Sequence, residues 1–191
     1  MTQCCKFNVH LEFKDEDCNI QPVAGFTDLR ITPKCLIAGR TLSAVSPRVV
    51  SAITMITPLT DFFYKVRVKK EGAKHDSEWD YDIETSNKTY TESIIGEIDQ
   101  KSFAIFDALQ DFHGIEVVLL GKEQGEFGNW RMVGFEGDLW FKKINDTTGM
   151  KKNESKLITF EISGILSNRW FYVFDTDLPT TLTLVDGITA P

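Results

Sequence analysis

The sequence predicts a mainly β, α+β fold: an antiparallel β-sandwich or barrel-like sheet with one packed α-helix over about residues 100–112. Two observations carry this. Most of the chain is divided into short stretches that alternate apolar and polar residues, separated by turns rich in Gly, Asn and Asp. A single stretch, just past the middle of the sequence, shows a clear helical period instead.

That stretch lies within the most legible part of the chain, residues 90–164. Tyr90 to Ile98 reads as extended. Asp99 stands where an N-cap accepts from the free amides of a first helical turn. Phe103, Phe106 and Leu109 recur every three residues, and Ile105, Leu109 and Phe112 at four and three, so one stripe of a helix is apolar. His113 and Gly114 end it. Ile115–Leu120 is apolar on both faces apart from Glu116, as in a strand held between two layers. A glycine-rich turn over 121–128 leads into Trp130–Phe141, a strand pattern interrupted by Gly134 and Gly137, which predict a bulge or a bend. After a turn at 145–149, residues 156–165 alternate, with Ile158, Phe160 and Ile162 opposite Thr159, Glu161 and Ser163.

The first half is read in the same way. Phe7, Val9, Leu11 and Phe13 mark a half-buried strand, and Thr27–Thr32 a short one ended by Pro33. Val49–Ile56 is apolar enough for a strand or for a buried helical turn. In 62–70, Tyr64, Val66 and Val68 face one way and Lys65, Arg67 and Lys69 the other. In 78–84, Trp79, Tyr81 and Ile83 oppose Glu78, Asp80, Asp82 and Glu84. A hairpin over about 62–85 would set Lys69 opposite Glu78, Arg67 opposite Asp80 and Lys65 opposite Asp82, a charged outer face that fixes register. Two separate solvated strand faces are the alternative. At the C-terminus, Thr180–Val185 alternates again. The division expected is one β-rich domain over 1–178 and a C-terminal arm over 179–191, a final strand of the same sheet being the competing reading of that arm.

Composition narrows the function classes. With 14 Phe and 42% apolar residues, the 191-residue chain has ample material for a core. Its formal charge of −7 argues against a surface that clamps nucleic acid, which needs a basic excess. Cys4, Cys5, Cys18 and Cys35 form no C-x-x-C and the three His are scattered, so no metal site is expected. The N-terminus lacks an apolar core of the kind that leads a protein to export, so reduced thiols in a cytosolic product are expected. No run approaches the ~20 apolar residues that cross a bilayer, and no membrane partner is expected.

Catalytic signatures are missing as well. Gly121, Gly125 and Gly128 fit neither dinucleotide nor P-loop spacing, and no G-x-S-x-G occurs. Pairs such as Glu136/Asp138 and Asp175/Asp177 read as turn acids and solvated faces. No enzyme activity and no cofactor are expected.

Two features carry a resemblance. One is the order strand, helix, strand, glycine turn, then Trp130-Arg-Met-Val-Gly-Phe-Glu-Gly-Asp-Leu139; the other is the pair of ends, Cys4-Cys5 and Phe174-Asp-Thr-Asp177. Together they resemble virion proteins of tailed phages of Bacteroidetes, including the crAss-like phages, and the strand–helix–strand–hairpin unit is similar to the tail-tube fold. The resemblance covers about the last hundred residues and, before them, only the cysteine pair. It implies a ring or tube subunit of the tail or head-to-tail passage, made in the host bacterial cytoplasm and located in the virion. Its partners would be copies of itself in a closed ring and neighbouring tail or portal-side proteins, with DNA passing without specific binding. The hairpin residues Lys65, Arg67, Lys69, Asp76, Glu78, Asp80 and Asp82 would then be intersubunit or lumen contacts. Between 76 and 99 the acids Asp76, Glu78, Asp80, Asp82, Glu84, Glu92, Glu97 and Asp99 face a single Lys88, which offers a DNA-repelling lining. The other reading is that these acids neutralise the basic strand and face solvent. A second function class is a β-sandwich binding module that presents Trp79, Trp140 or Trp170 to carbohydrate or protein.

Overall fold

The computed structural model describes residues 25–44, 46–58, 61–66, 68, 73–85, 87–98, 109–123, 129–147, 157–166, 171–173 and 178–188. These are mostly strand, arranged as two sheets. Phe26–Pro33 (β1), Ile37–Leu42 (β2), Val49–Met55 (β3), Tyr64–Val66 (β4), Val117–Glu123 (β7), Trp130–Val133 (β8) and Phe171–Val173 (β11) form a seven-stranded sheet in the order β2-β3-β11-β8-β7-β1-β4. It is mixed, because β11 runs parallel to β3. Lys74–Asp82 (β5), Asn87–Ile98 (β6), Gly137–Thr147 (β9) and Leu157–Leu166 (β10) form an antiparallel four-stranded sheet in the order β5-β6-β10-β9. Neither sheet closes into a barrel among the described residues.

The core lies in two layers, one on each side of the seven-stranded sheet. Between the sheets, Leu29 and Ile31 of β1 and Val117 and Leu119 of β7 meet Ile94, Phe141, Phe160 and Ile162. On the far face, Val118 and Leu120 of β7 join Val50, Trp130, Met132 and Phe171, with Val185 of the C-terminal helix. The run Val117–Leu120 is apolar throughout because both of its faces are covered. Phe160 pairs in register with Gly96, where an added Cβ would fall 2.3 Å from the Phe160 ring. Glycine there lets the aromatic ring lie across the neighbouring strand.

Gly134 and Gly137 mark more than a bulge. They flank the point where the chain leaves the seven-stranded sheet after β8 and enters the other sheet as β9. Their φ values of 91° and 122° lie in the region open to glycine, and a Cβ on Gly134 would meet the Val117 carbonyl at 2.6 Å.

Several expectations hold. Residues 26–33, 49–55, 87–98, 117–123 and 157–166 are strands, which settles Val49–Met55 as extended. Residues 109–112 are helical and Leu109 is buried. Phe103, Ile105 and Phe106, like the strand expected over 7–13, lie outside the described residues.

Two expectations are corrected. The hairpin over 62–85 does not form: β4 pairs with β1 in the seven-stranded sheet, while β5 pairs with β6 in the other. The charges that suggested the pairing find other partners, and Lys65 Nζ sits 3.0 Å from Asp28 rather than opposite Asp82. The C-terminal stretch is not the final strand that its alternation suggested but a helix, Leu178–Gly187. Pro179 falls in its first turn, where a missing N–H costs nothing. The face formed by Thr181, Leu184, Val185 and Ile188 turns inward, with Thr181 and Val185 buried and Leu184 and Ile188 packed on the core.

Arg30 holds that helix in place. It is 4% exposed and points from β1 to the helical layer. Its guanidinium donates to the Val185 carbonyl at 3.0 Å and to Asp186 Oδ1 at 2.9 Å, and it lies 4.9 Å from the Trp130 ring. A cation at the last carbonyls of a helix also meets the negative end of its dipole.

Candidate functional site

The feature that the core does not explain is the β5–β6 hairpin. Up to Tyr90, β6 pairs with β10 on its other side, ending at Tyr90 opposite Leu166. Beyond that point, among the described residues, β5 and β6 pair only with each other, through Asp82 opposite Asn87, to a turn at 83–85. A two-stranded ribbon in water is marginal without further support. Here it is secured at both ends.

At the base, the inward-facing residues of β6 are Glu92, Ile94, Gly96 and Ile98, and all are buried. Glu92 is 0% exposed, and its Oε2 lies 2.7 Å from His75 Nε2, while Ser77 donates to its Oε1 at 2.7 Å. The Trp79 indole N–H continues the chain to the Ser77 hydroxyl at 3.0 Å. Phe26 stacks on the His75 imidazole at 4.9 Å. A buried carboxyl is tolerated only when its oxygens have partners, and here each Glu92 oxygen has one. Ser77 donates to Glu92 rather than to His75. The cluster pins β5 against β6, since a one-residue slip would turn His75 and Ser77 away from Glu92.

At the tip, Asp82 caps the turn. Its Oδ1 accepts from the Glu84 N–H at 2.9 Å and the Thr85 N–H at 3.3 Å, and its Oδ2 from the Thr85 hydroxyl at 2.6 Å. The Thr85 hydroxyl first, and then these two amides, hold the Asp82 carboxyl below its ordinary pKa.

Between base and tip the ribbon has two chemically distinct faces. Trp79 pairs with Tyr90 and lies on the side of Ser77 and Glu92, and Tyr81 follows on that side. Ile83 comes next, at the turn. They are 57%, 52% and 82% exposed. The opposite face carries Lys74, Asp76, Glu78, Asp80 and Asp82, all exposed.

Of the hairpin residues expected from the sequence, the structure brings together the four acids Asp76, Glu78, Asp80 and Asp82 on one face of β5. Lys65 lies in the other sheet, and Arg67 and Lys69 lie outside the described residues. Glu92, expected in the acidic lining, is removed from it by burial. Glu97 lies on the outer face of β6, paired with Thr159. The sequence reading missed the His75–Glu92–Ser77 cluster, whose only signal was that Glu92 shares its side of the strand with Ile94 and Ile98. Trp140 is 36% exposed on the outer face of its strand; Trp170 lies outside the described residues. Among the described residues no group of His, Cys, Asp and Glu could hold a metal ion, and no helix is long and apolar enough to cross a membrane.

No protein-family model, curated protein or solved structure matches this chain.

Proposed function

We propose that this protein is a phage virion structural subunit, a ring or tube component of the tail or head-to-tail passage that self-assembles around the DNA conduit. The observation that supports this reading most is the amphipathic β5–β6 hairpin. Trp79, Tyr81 and Ile83 are 57%, 52% and 82% exposed in succession along this ribbon. Exposed aromatics in a row are the material of interface anchors. A ring subunit needs such reaching elements and heterologous contacts that close on themselves, and it needs no reactive centre.

The acids on the other face suit a passage for DNA. A wall of Lys and Arg would gain counterion-release free energy at each phosphate and hold the genome back, whereas Asp76, Glu78, Asp80 and Asp82 would not. The subunit's partners are then copies of itself and the tail or portal-side proteins above and below it, and its location is the virion.

Electron microscopy and mass measurement of the purified chain test this reading. Closed rings or stacks are expected. One alternative has an observation in its favour: Trp79 and Tyr81 share a strand face in the manner of a carbohydrate platform. A lasting monomer that binds glycans, and loses binding in Trp79→Ala, would replace the ring reading with that one.

A further inference from the structure

The hydrogen bonds at the base of the hairpin run in one direction and end on an exposed ring. An indole N–H can only donate, so the Ser77 hydroxyl accepts from Trp79 Nε1 at 3.0 Å. Its own proton goes to Glu92 Oε1, 2.7 Å away. The other carboxyl oxygen, Oε2, is held by His75 Nε2 at 2.7 Å, and Phe26 stacks on the His75 ring. The side chains of His75 and Glu92 are 5% and 0% exposed, so the carboxyl that orients the Ser77 hydroxyl is packed in place.

A hydrogen bond on the surface usually holds little, because water offers an equivalent partner. This one differs in what stands behind it. The Ser77 hydroxyl is fixed from the buried side, so it presents its lone pair to the indole in one direction. The ring has a second hold, an edge contact with its cross-strand partner Tyr90 at 6.3 Å and 69°. Tyr81 and Trp140, also exposed, show the contrast: among the described residues neither side chain has a hydrogen-bond partner.

We propose that Ser77 is a positioning residue for Trp79. It passes the fixed geometry of the buried Glu92–His75 pair to the indole, so the ring is set in one orientation in the free chain. An anchor that is already ordered loses less side-chain entropy when it is covered. This rests on the self-assembly reading above, in which Trp79 meets a neighbouring copy, and adds the residue that readies it.

The test uses the full chain with Ser77→Ala, Ser77→Thr and Trp79→Phe. At concentrations where the chain is monomeric, the Trp79 indole N–H of the wild type should exchange with water more slowly than that of Trp140. Ser77→Ala should abolish that difference, and Ser77→Thr, which keeps the hydroxyl, should retain it. Exchange of the β5 and β6 backbone amides should stay as in the wild type, which separates release of the ring from loss of the hairpin. Over a concentration series, Ser77→Ala should raise the apparent dissociation constant of assembly about three- to tenfold. Trp79→Phe removes the donor and keeps a ring; it should weaken assembly at least as much, and adding Ser77→Ala to it should cost nothing more. A Trp79 indole as protected in Ser77→Ala as in the wild type would overturn the proposal. Equal assembly by Ser77→Ala and wild type, or effects that simply add in the double variant, would overturn it too, while leaving the self-assembly reading standing. A wild-type chain that stays monomeric at every concentration would overturn that reading instead, with indole exchange still deciding what Ser77 does.

Discussion

β7 and β5 are strands of one chain with opposite surroundings. Every residue of Val117–Gly121 in β7 is buried, because layers cover both faces. Along Lys74–Asp82 in β5 nearly every side chain is exposed, because the strand overruns the sheet beneath it. The contrast separates two uses of apolar residues. Val118, Leu120 and Phe160 stabilise the fold of the single molecule, whereas Trp79, Tyr81 and Ile83 remain more than half exposed in it.

The sharpest way to break the first half of that contrast is Phe160→Ala. Phe160 is 1% exposed, stacks 5.7 Å from Phe141 and lies over Gly96. Its truncation should cost about 3–5 kcal/mol, seen as a large drop in the urea or thermal midpoint. Next in size is Arg30→Met, which keeps the length of the side chain and removes the guanidinium. It leaves the Val185 carbonyl without its buried donor and should cost about 2–4 kcal/mol, with hydrogen exchange rising first in Leu178–Gly187. Gly96→Ala is smaller: the new methyl forces the Phe160 ring aside, for about 1–3 kcal/mol of overpacking.

At the exposed end of the comparison, Asp82 gives a pH signature confined to the hairpin tip. Its pKa is lowered in the folded state, so its contribution is complete above the unfolded value and is lost as pH falls through the folded value. The Glu84 and Thr85 amide resonances should therefore shift only below the usual carboxylate range. In Asp82→Asn that titration should vanish while the melting temperature of the body stays in place.

What was legible in the sequence follows the same divide. Strands that fill the core, such as Val117–Glu123 and Leu157–Leu166, were readable because burial dictates their side chains on one face or both. Alternation in 78–84 was equally plain, but it shows only that two faces differ, not that either is covered. Alternation marks Tyr64–Val66 as a strand, but its charges point to the wrong partner, because matching charges are weak determinants beside the burial of Leu29 and Ile31 next door. The C-terminal helix was hidden by Thr-Leu-Thr-Leu, which reads as a strand in isolation. The spacing of 181, 184, 185 and 188 held the helical stripe, and Arg30, far away in sequence, supplies the partner that stabilises it. The proposed assembly surface is partly legible: its acids and aromatics are visible as a pattern, and the burial of Glu92 is not.

The most direct test of the contrast is the pair Trp79→Ser and Tyr81→Ser in one chain, followed by thermal melting and by sedimentation over a concentration series beside the wild type. These residues are 57% and 52% exposed in the single chain. The monomer should therefore lose no more than about 1–2 kcal/mol, from the Trp79 bond to Ser77 and its edge contact with Tyr90, while the large species expected of the wild type should be missing. A chain that unfolds at a much lower temperature, or one that assembles as well as the wild type, would contradict the claim that this hairpin is built for a neighbour.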